Sequence, residues 1–239
     1  TRLSSLFIFL LFSTFTLKAS YILIPMDEDN QKDHLKAYGI AFWTLENDLT
    51  VDWLLNYRGG SFLIENHTQI EKECIIRGVS YEIITNAYKQ QLQLELANPE
   101  SNTDIIKLEK APKVAVYSPE GNLPWDDAVT MVLTYAEIPY DIIYDEEILS
   151  EMLSIYDWLH LHHEDFTGQY GKFYSTFKNA PWYQEQKRNF ENEASRLGYS
   201  KVSNQKLDVA LKIKEFLVGG GFLFAMCSAT DSYDIALAA

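Results

Sequence analysis

The chain has 239 residues and a formal net charge of −14, from 20 basic and 34 acidic side chains. This charge argues against binding to nucleic acid and against docking on anionic lipid, because both need a basic surface. Hydrophobic residues make up 47% of the chain, so it can bury a core, and a long disordered chain is excluded. The two cysteines, Cys74 and Cys227, exclude a disulfide scaffold and a cysteine-rich zinc site.

The N-terminal segment is typical of a secretory signal. Arg2 precedes an apolar run over residues 3–17, and the small residues Ala19 and Ser20 follow Lys18. This pattern predicts a signal peptide over residues 1–20 and export to the periplasm, the cell envelope or the medium, with a retained N-terminal anchor as the alternative. No later apolar run is long enough to cross a bilayer, so we expect no stable membrane span after signal removal.

Residues 21–108 are predicted to form an N-terminal α/β region. Apolar periodicity predicts strands and helices in the order strand 21–24, helix 34–45, strands 51–57 and 61–64, helix 70–77, strand 79–85 and helix 86–97, with Asn86 as N-cap. Cys74 fits the apolar rhythm of its helix, which indicates a structural role. Arg58-Gly59-Gly60-Ser61 is typical of a hairpin turn; the alternative, an anion-binding turn, makes Arg58 a candidate substrate-binding residue. The polar stretch 98–112 is the predicted boundary.

Residues 109–239 show a more regular alternation. The patterns predict strand 113–117, helix 125–137, strand 140–144, helix 146–154, strand 157–162, helices 181–197 and 204–217, strand 222–225 and a final helix after Cys227. This alternation predicts an α/β fold with a parallel sheet flanked by helices, a three-layer sandwich whose ligands bind at the carboxyl ends of the strands. The last helix lacks a stop signal, so we expect this domain to be truncated at its C-terminus.

A candidate nucleophile follows the last predicted strand. Ala225-Met226-Cys227-Ser228-Ala229 has small residues two positions on either side of the cysteine, as in a nucleophile elbow. Bulky residues would clash at such a sharp strand-to-helix turn. The start of the following helix would direct backbone N–H groups, including that of Ser228, at the thiol and at an oxyanion. Cys227 is therefore a candidate for acyl-transfer chemistry, and a small buried cysteine at a strand end is the alternative.

Polar residues follow the predicted strand at 157–162, which we expect to lie beside the strand that precedes Cys227. His162 or His163 is a candidate base for the thiol, and Glu164 or Asp165 is a candidate to orient the imidazole. Two further interpretations stay open. The cluster could instead form a structural strand end whose histidines bond loop carbonyls.

Alternation along the strand also places His160, His162 and Glu164 on the same face of the strand. These three side chains could hold a divalent metal ion, as in a metal-dependent hydrolase. We predict neither a bound metal nor a cofactor. His160 and Asp165 are instead predicted to contact substrate, together with Gln169 and Tyr170 of the aromatic, glycine-containing segment 166–173. That segment is typical of a mobile substrate loop, and an ordinary packed loop is the alternative.

The half from Lys113 onward resembles the class I glutamine amidotransferase-like fold, a flavodoxin-like sheet in which Cys227 matches the elbow cysteine. Nearly all of the chain after the signal also resembles a family of exported bacterial proteins labelled asparagine synthetase B. The segments that carry this second resemblance are 34–39 (His-Leu-Lys-Ala-Tyr-Gly), 53–62 (Trp-Leu-Leu-Asn-Tyr-Arg-Gly-Gly-Ser-Phe), 160–171 and 225–239.

The resemblance implies an amidase or amidotransferase that acts on a small-molecule or peptide amide through an acyl-enzyme. ATP-dependent synthesis is not implied, because Gly59-Gly60-Ser61-Phe62 lacks the Asp and second Ser of a synthetase pyrophosphate loop. In place of the amidotransferase Gly-Gly oxyanion loop stands His162-His163-Glu164-Asp165, so the base comes from these histidines or from residues beyond Ala239. A non-enzymatic module that binds a ligand or partner in the cell envelope is the alternative function.

Overall fold

The computed structural model of this protein describes residues 20–118, 128–161, 166–167 and 170–238. They fall into two compact units, each with its own sheet. The first contains Thr50–Leu108 and the described part of the chain up to His34. The second contains Leu35–Leu49 and the described residues from Glu109 onward. The segment 35–49, assigned by sequence to the N-terminal region, thus belongs to the second unit.

The elements of the first half follow the predicted order closely. They are β1 (Ser20–Ile24), α1 (His34–Glu46), β2 (Val51–Leu55), β3 (Ser61–Glu65), α2 (Thr68–Arg77), β4 (Glu82–Thr85), α3 (Asn86–Leu96) and β5 (Asp104–Leu108). Among the described residues, the strands form one sheet in the order β4-β1-β3-β2-β5, and every neighbouring pair is antiparallel. All these elements belong to the first unit except α1 after His34.

The sheet of the first unit is antiparallel, unlike the parallel sheet that the sequence predicts for residues 109–239. Only a short turn at 56–60 joins β2 and β3, and a parallel pair would need a long crossover. The hairpin prediction for this turn is confirmed by the pairing of Trp53 with Phe62. Its backbone has positive φ at Asn56, Arg58, Gly59 and Gly60.

The two units divide between Leu108 and Glu109, inside the predicted boundary stretch, but sequence reasoning missed one strand there and misplaced one N-cap. The polar stretch 98–112 contains β5, an edge strand whose side chains are exposed or half-buried, so it lacks the apolar run that marks a core strand. Helix α3 includes Asn86, and its N-cap is Thr85, whose side chain accepts the Tyr88 N–H at 3.3 Å.

The elements of the second half are β6 (Val114–Tyr117), α4 (Ala128–Ala136), β7 (Asp141–Ile143), α5 (Asp145–Leu149), β8 (Trp158–Leu161), α6 (Tyr174–Phe177), α7 (Pro181–Arg196), α8 (Val202–Val218), β9 (Phe222–Ala225) and α9 (Ser228–Ala238). Within the described residues, the four strands pair in the order β7-β6-β8-β9, all parallel. The predicted parallel sheet flanked by helices is therefore confirmed for this unit.

Alternation along β6 and β8 creates two cores, one on each face of the sheet. Leu159 and Leu161 lie in a core with residues of α8 and α9, such as Ile213. Val114 and Val116 pack on the other face, against Leu133 of α4 and Phe42 of α1. Both faces of these central strands are buried, as expected when crossover helices cover a parallel sheet.

The strand order reverses between β6 and β8. From β6 the chain adds β7 on one side, then returns to add β8 and β9 on the other. The connections that leave the carboxyl ends of β6 and β8 therefore diverge, and ligands of open α/β sheets bind at such a point. Within the described part of the chain, no helix has both the length and the apolar character needed to cross a bilayer.

Candidate active site

Cys227 lies at the sharp junction between β9 and α9, at the carboxyl end of the parallel sheet. β9 ends at Ala225 and α9 begins at Ser228, so only Met226 and Cys227 join them. Cys227 has φ +53°, in the left-handed region, and it is exposed. A side chain there costs roughly 1–2 kcal/mol relative to ordinary backbone conformations. Such strain persists where surrounding contacts impose it, and it concentrates at functional sites.

Backbone hydrogen bonds on both sides hold this turn. The Met226 N–H donates to the carbonyl of Leu161, the last residue of β8, at 3.2 Å. The N–H groups of Ala229 and Thr230 donate to the carbonyls of Met226 and Cys227 at 3.1 and 3.2 Å. Ala229 is buried in the core under the turn, so a larger side chain at this position would push the helix away. These contacts explain the small residue two positions after the cysteine.

The two cysteines occupy opposite environments. Cys74 is fully buried on α2, and burial raises the pKa of its thiol to about 12. Its thiol is therefore protonated and inaccessible, in line with the predicted structural role. Both cysteines are free, and Cys227 is the exposed one. Because the thiolate is the reactive form and must reach its substrate, Cys227 is the thiol suited to nucleophilic chemistry.

The predicted base and its neighbours, His162, His163, Glu164 and Asp165, lie outside the described residues, and so does Gln169. The described residues that flank positions 162–165 are Leu161 and Phe166. Leu161 contacts the turn that contains Cys227, and Phe166 contacts the helix α9 that follows it. Leu161 accepts the Met226 N–H. The ring of Phe166 packs edge-on against Tyr233 of α9, with ring centroids 6.1 Å apart. The proposed role of the two histidines therefore stays a prediction.

His160 lies inside the sheet. It occupies β8 between Val116 of β6 and Phe224 of β9, and only 2% of the residue is exposed. Its ring stacks on Phe224, with centroids 5.5 Å apart and an interplanar angle of 20°. A contact between His160 and substrate would need a path into the sheet, and the predicted substrate role stays untested. No group of three or more His, Cys, Asp or Glu side chains among the described residues could hold a metal ion.

Two other predicted substrate residues lie in the second unit. Ser228 is the first residue of α9 and directly follows Cys227. The Tyr170 hydroxyl donates to Glu191 of α7 at 3.3 Å, and its ring packs on Phe190, with centroids 5.5 Å apart. Burial raises the pKa of the Tyr170 hydroxyl. Tyr170 is therefore held against α7, whereas Ser228 adjoins Cys227.

Arg58 belongs to the first unit and has acidic partners there. Its guanidinium bonds Asp27 at 3.0 Å and Glu82 at 2.9 Å. Burial lowers the pKa of the Arg58 guanidinium, but the two carboxylates together raise it by more. The pKa of Arg58 therefore lies above its ordinary value. The structure thus gives Arg58 two ion pairs that fasten the 56–60 turn, and its predicted role in substrate binding stays untested.

Sequence reasoning missed a buried polar cluster at the carboxyl ends of β6 and β7. It consists of Tyr117, Asp145, Gln205 and Lys206, all buried, with Asp145 and Lys206 forming an ion pair. One local signal was present, because helical spacing from Val202 to Val209 puts Lys206 on the apolar face of α8. Its acidic partner is far away in sequence, so the pairing itself could not be inferred.

One cleft lies away from Cys227. It has a volume of about 480 Å³ at the amino ends of β8 and β9, and its lining includes Asp157, Lys212 and Gly220. Cys227 lies at the carboxyl ends of the parallel strands, so this cleft is at the opposite edge of the sheet. Ligands of open α/β sheets bind at the carboxyl edge, so the elbow remains the better candidate site.

Comparisons with known proteins give no relative for this chain. No protein-family model, curated protein or solved structure matches it.

Proposed function

We propose that this protein is an exported class I glutamine amidotransferase-like enzyme, in which Cys227 cleaves an amide through an acyl-enzyme. One observation carries the proposal: Cys227 is an exposed cysteine with φ +53° between a parallel strand and the helix that follows it. A nucleophile elbow uses such a strained turn to present its nucleophile at the carboxyl edge of the sheet. Export rests on the N-terminal segment over residues 1–20.

The strand order supports the flavodoxin-like part of the proposal. Counted along the second unit, β6, β7, β8 and β9 are its first to fourth strands, and the sheet order is second, first, third, fourth. This is the order of the first four strands in the flavodoxin-like arrangement. The reversal of strand order puts a crevice beside β8, the strand that neighbours the cysteine-bearing β9.

The proposed reaction has two stages. His162 or His163, oriented by Glu164, takes the thiol proton as Cys227 Sγ attacks the amide carbonyl carbon. The C–N bond then breaks as the imidazolium gives that proton to the leaving amine, which leaves a thioester. Water or an acceptor amine attacks the thioester and restores the thiol; water gives an amidase and an amine gives a transferase.

Backbone N–H groups of Cys227 and Ser228 are the proposed oxyanion donors. The first amides of a helix point along its axis toward the preceding residue, and donors of this kind lower the barrier most when fixed before the substrate binds. We therefore expect the thioester-forming step to depend on the geometry of the turn more than on any further side chain.

The first test measures ammonia release from glutamine and from a panel of peptide amides. We expect Cys227→Ala to lower turnover by at least ~10³-fold, as removal of a catalytic nucleophile does. Cys74→Ala is the matched control, since it removes the other thiol, and it should retain turnover. Alkylation with iodoacetamide should modify only Cys227 in the folded protein and both cysteines in urea. Turnover that survives in Cys227→Ala would refute the mechanism.

An exposed aromatic surface favours a second candidate function, a ligand-binding module. Phe173, Phe177 and Trp182 contact one another, with ring centroids 5.3 to 6.3 Å apart. Phe177 and Trp182 are each more than 40% exposed, and Lys172 lies over the Phe173 ring. Half-exposed rings stack on flat apolar ligand faces, and the lysine favours an anionic group. If the protein is only a binding module, Trp182→Ala abolishes ligand binding and Cys227→Ala has no effect.

A further inference from the structure

The buried cluster at the carboxyl ends of β6 and β7 bears on how Cys227 is held. We infer that Tyr117, Asp145 and Lys206 form a positioning cluster that fixes Phe166 against α9 and thereby fixes the elbow turn. This inference rests on the proposed function for its catalytic meaning. The geometry of the cluster stands without it.

Asp145 is the centre of the cluster. It is fully buried as the first residue of α5, and its carboxylate accepts hydrogen bonds from two neighbours on α8. Lys206 Nζ donates to Oδ2 as part of the ion pair, and Gln205 Nε2 donates to the same oxygen at 2.7 Å. Burial raises the pKa of the Asp145 carboxyl, and Lys206 opposes that rise. The cluster thus joins α8 to the end of β7.

Tyr117 extends the cluster to the chain after β8. It is the last residue of β6, and its hydroxyl lies 2.5 Å from Asp145 Oδ1 and 2.9 Å from the carbonyl oxygen of Phe166. Lys206 Nζ also donates to this hydroxyl, at 3.3 Å. A single phenolic proton serves both acceptors, so the position of Phe166 depends on the position of Asp145. Burial raises the pKa of Tyr117 well above its ordinary value, which keeps that proton in place.

Phe166 in turn contacts the helix of the nucleophile. Its ring packs edge-on against Tyr233 of α9, and both residues lie in the core that also contains Ala229. Ala229 belongs to the first turn of α9, where its N–H donates to the carbonyl of Met226. A continuous series of contacts therefore leads from Asp145 to the residue before Cys227.

Stability alone gives no reason for this cluster. A buried ion pair can often be replaced by well-packed apolar residues of similar volume with no loss of stability, because desolvation of the two charges is costly. The cost is higher here, since Gln205 Oε1 is buried and has no hydrogen-bond partner among the described residues. The directional hydrogen bonds of the cluster do, however, fix the relative positions of β6, α5 and α8. Apolar packing alone would fix these positions less tightly.

The test compares Tyr117→Phe with Tyr156→Phe. Tyr156 is a matched control because it is also buried in the second unit, and its hydroxyl donates to Asp141 at 3.1 Å. Tyr156 and Asp141 lie at the amino ends of β8 and β7, away from the elbow. Each variant therefore deletes one hydroxyl bonded to an aspartate, at opposite ends of the same sheet.

Tyr117→Phe should speed hydrogen exchange of the Ala229 and Thr230 amides by about 10-fold and change the rate of Cys227 alkylation by iodoacetamide. Tyr156→Phe should leave both unchanged relative to the parent protein. Equal effects of the two variants on the elbow would overturn the inference. If Tyr117→Phe does not fold, Gln205→Met gives the same comparison, because it removes one donor to Asp145 together with the unpartnered oxygen.

Both readouts are independent of turnover, so the two proposals can fail separately. If Cys227→Ala retains turnover while Tyr117→Phe loosens the elbow, the proposed reaction is wrong and the positioning cluster stands. If Cys227→Ala is inactive while Tyr117→Phe leaves exchange and alkylation unchanged, the reaction stands and the positioning cluster is refuted.

Discussion

The strained backbone of Cys227 gives a prediction whose sign tests the elbow. Two variants, Cys227→Ala and Cys227→Gly, both remove the thiol, and they differ only in the β-carbon. At φ +53° the β-carbon of alanine is strained, whereas glycine adopts this conformation freely. The comparison therefore isolates the backbone conformation of residue 227 from the loss of sulfur.

The magnitude follows from two opposing contributions. A side chain in the left-handed region costs roughly 1–2 kcal/mol, and glycine avoids this cost. Glycine loses about 0.5–1 kcal/mol through the larger conformational freedom of its unfolded chain. Because Cys227 is exposed, neither variant leaves a cavity. We expect Cys227→Gly to be more stable than Cys227→Ala by roughly 0.5–1 kcal/mol, which is about 1–4 °C in Tm for a chain of this size.

The assay is urea unfolding followed by circular dichroism, with Gly198→Ala as calibration. Gly198 has φ +90° in the second unit, and a β-carbon there would meet no atom within 4 Å. Gly198→Ala therefore reports the cost of a β-carbon at positive φ alone, expected at about 1 kcal/mol. If Cys227→Gly is instead less stable than Cys227→Ala by about 0.5–1 kcal/mol, residue 227 has ordinary backbone geometry and the elbow is refuted.

Two further predictions concern stability. Gly59→Ala should destabilise the first unit by at least ~2 kcal/mol more than the control Gly78→Ala. At Gly59 a β-carbon would lie 2.3 Å from the backbone oxygen of Met26, whereas at Gly78 it would meet nothing within 4 Å. Equal losses of stability in urea unfolding would contradict this prediction. Asp157 accepts the Lys113 N–H at 2.8 Å, which lowers its pKa below the ordinary value near 3.8. Its stabilising effect is therefore present above about pH 4 and lost as pH falls through the lowered pKa. The stability deficit of Asp157→Asn at pH 7 should shrink as the pH falls through the lowered pKa of Asp157, and a deficit that stays constant in acid would show another cause.

Sequence patterns predicted the second unit well because its central strands are buried on both faces. Val114 to Tyr117 is a short apolar run and Trp158 to Leu161 is apolar except for His160, and such short runs between amphipathic helices are typical of parallel sheets. The strand before Cys227 and the helix after it were also predicted from sequence. The positive φ of Cys227 was not, although the small residues around it pointed to a sharp turn.

The parts that sequence reasoning missed depend on contacts between distant residues. Asp104–Leu108 is an edge strand without a buried face, so its pairing with β2 left no periodic signal. The ion pair of Asp145 with Lys206 joins two helices, α5 and α8, between which β8, α6 and α7 intervene in the chain. A lysine on an apolar helix face indicates a buried partner, but the partner is set by the tertiary fold. Arg58 was a candidate for substrate, and the structure gives it two acidic partners in its own unit.

The strain at Cys227 and the buried cluster have a common consequence for the proposed reaction. A left-handed cysteine needs contacts that offset roughly 1–2 kcal/mol. The hydrogen bonds of Met226 to β8 and of Thr230 to Cys227, at about 1 kcal/mol each, are of the right size to do so. All of these contacts belong to the protein itself and are formed before any ligand binds. The backbone N–H groups at the start of α9 are then fixed in advance, and an oxyanion gains most from donors that need no reorganisation. Loosening Phe166 or Met226 should therefore lower the rate of the chemical step more than the affinity for substrate.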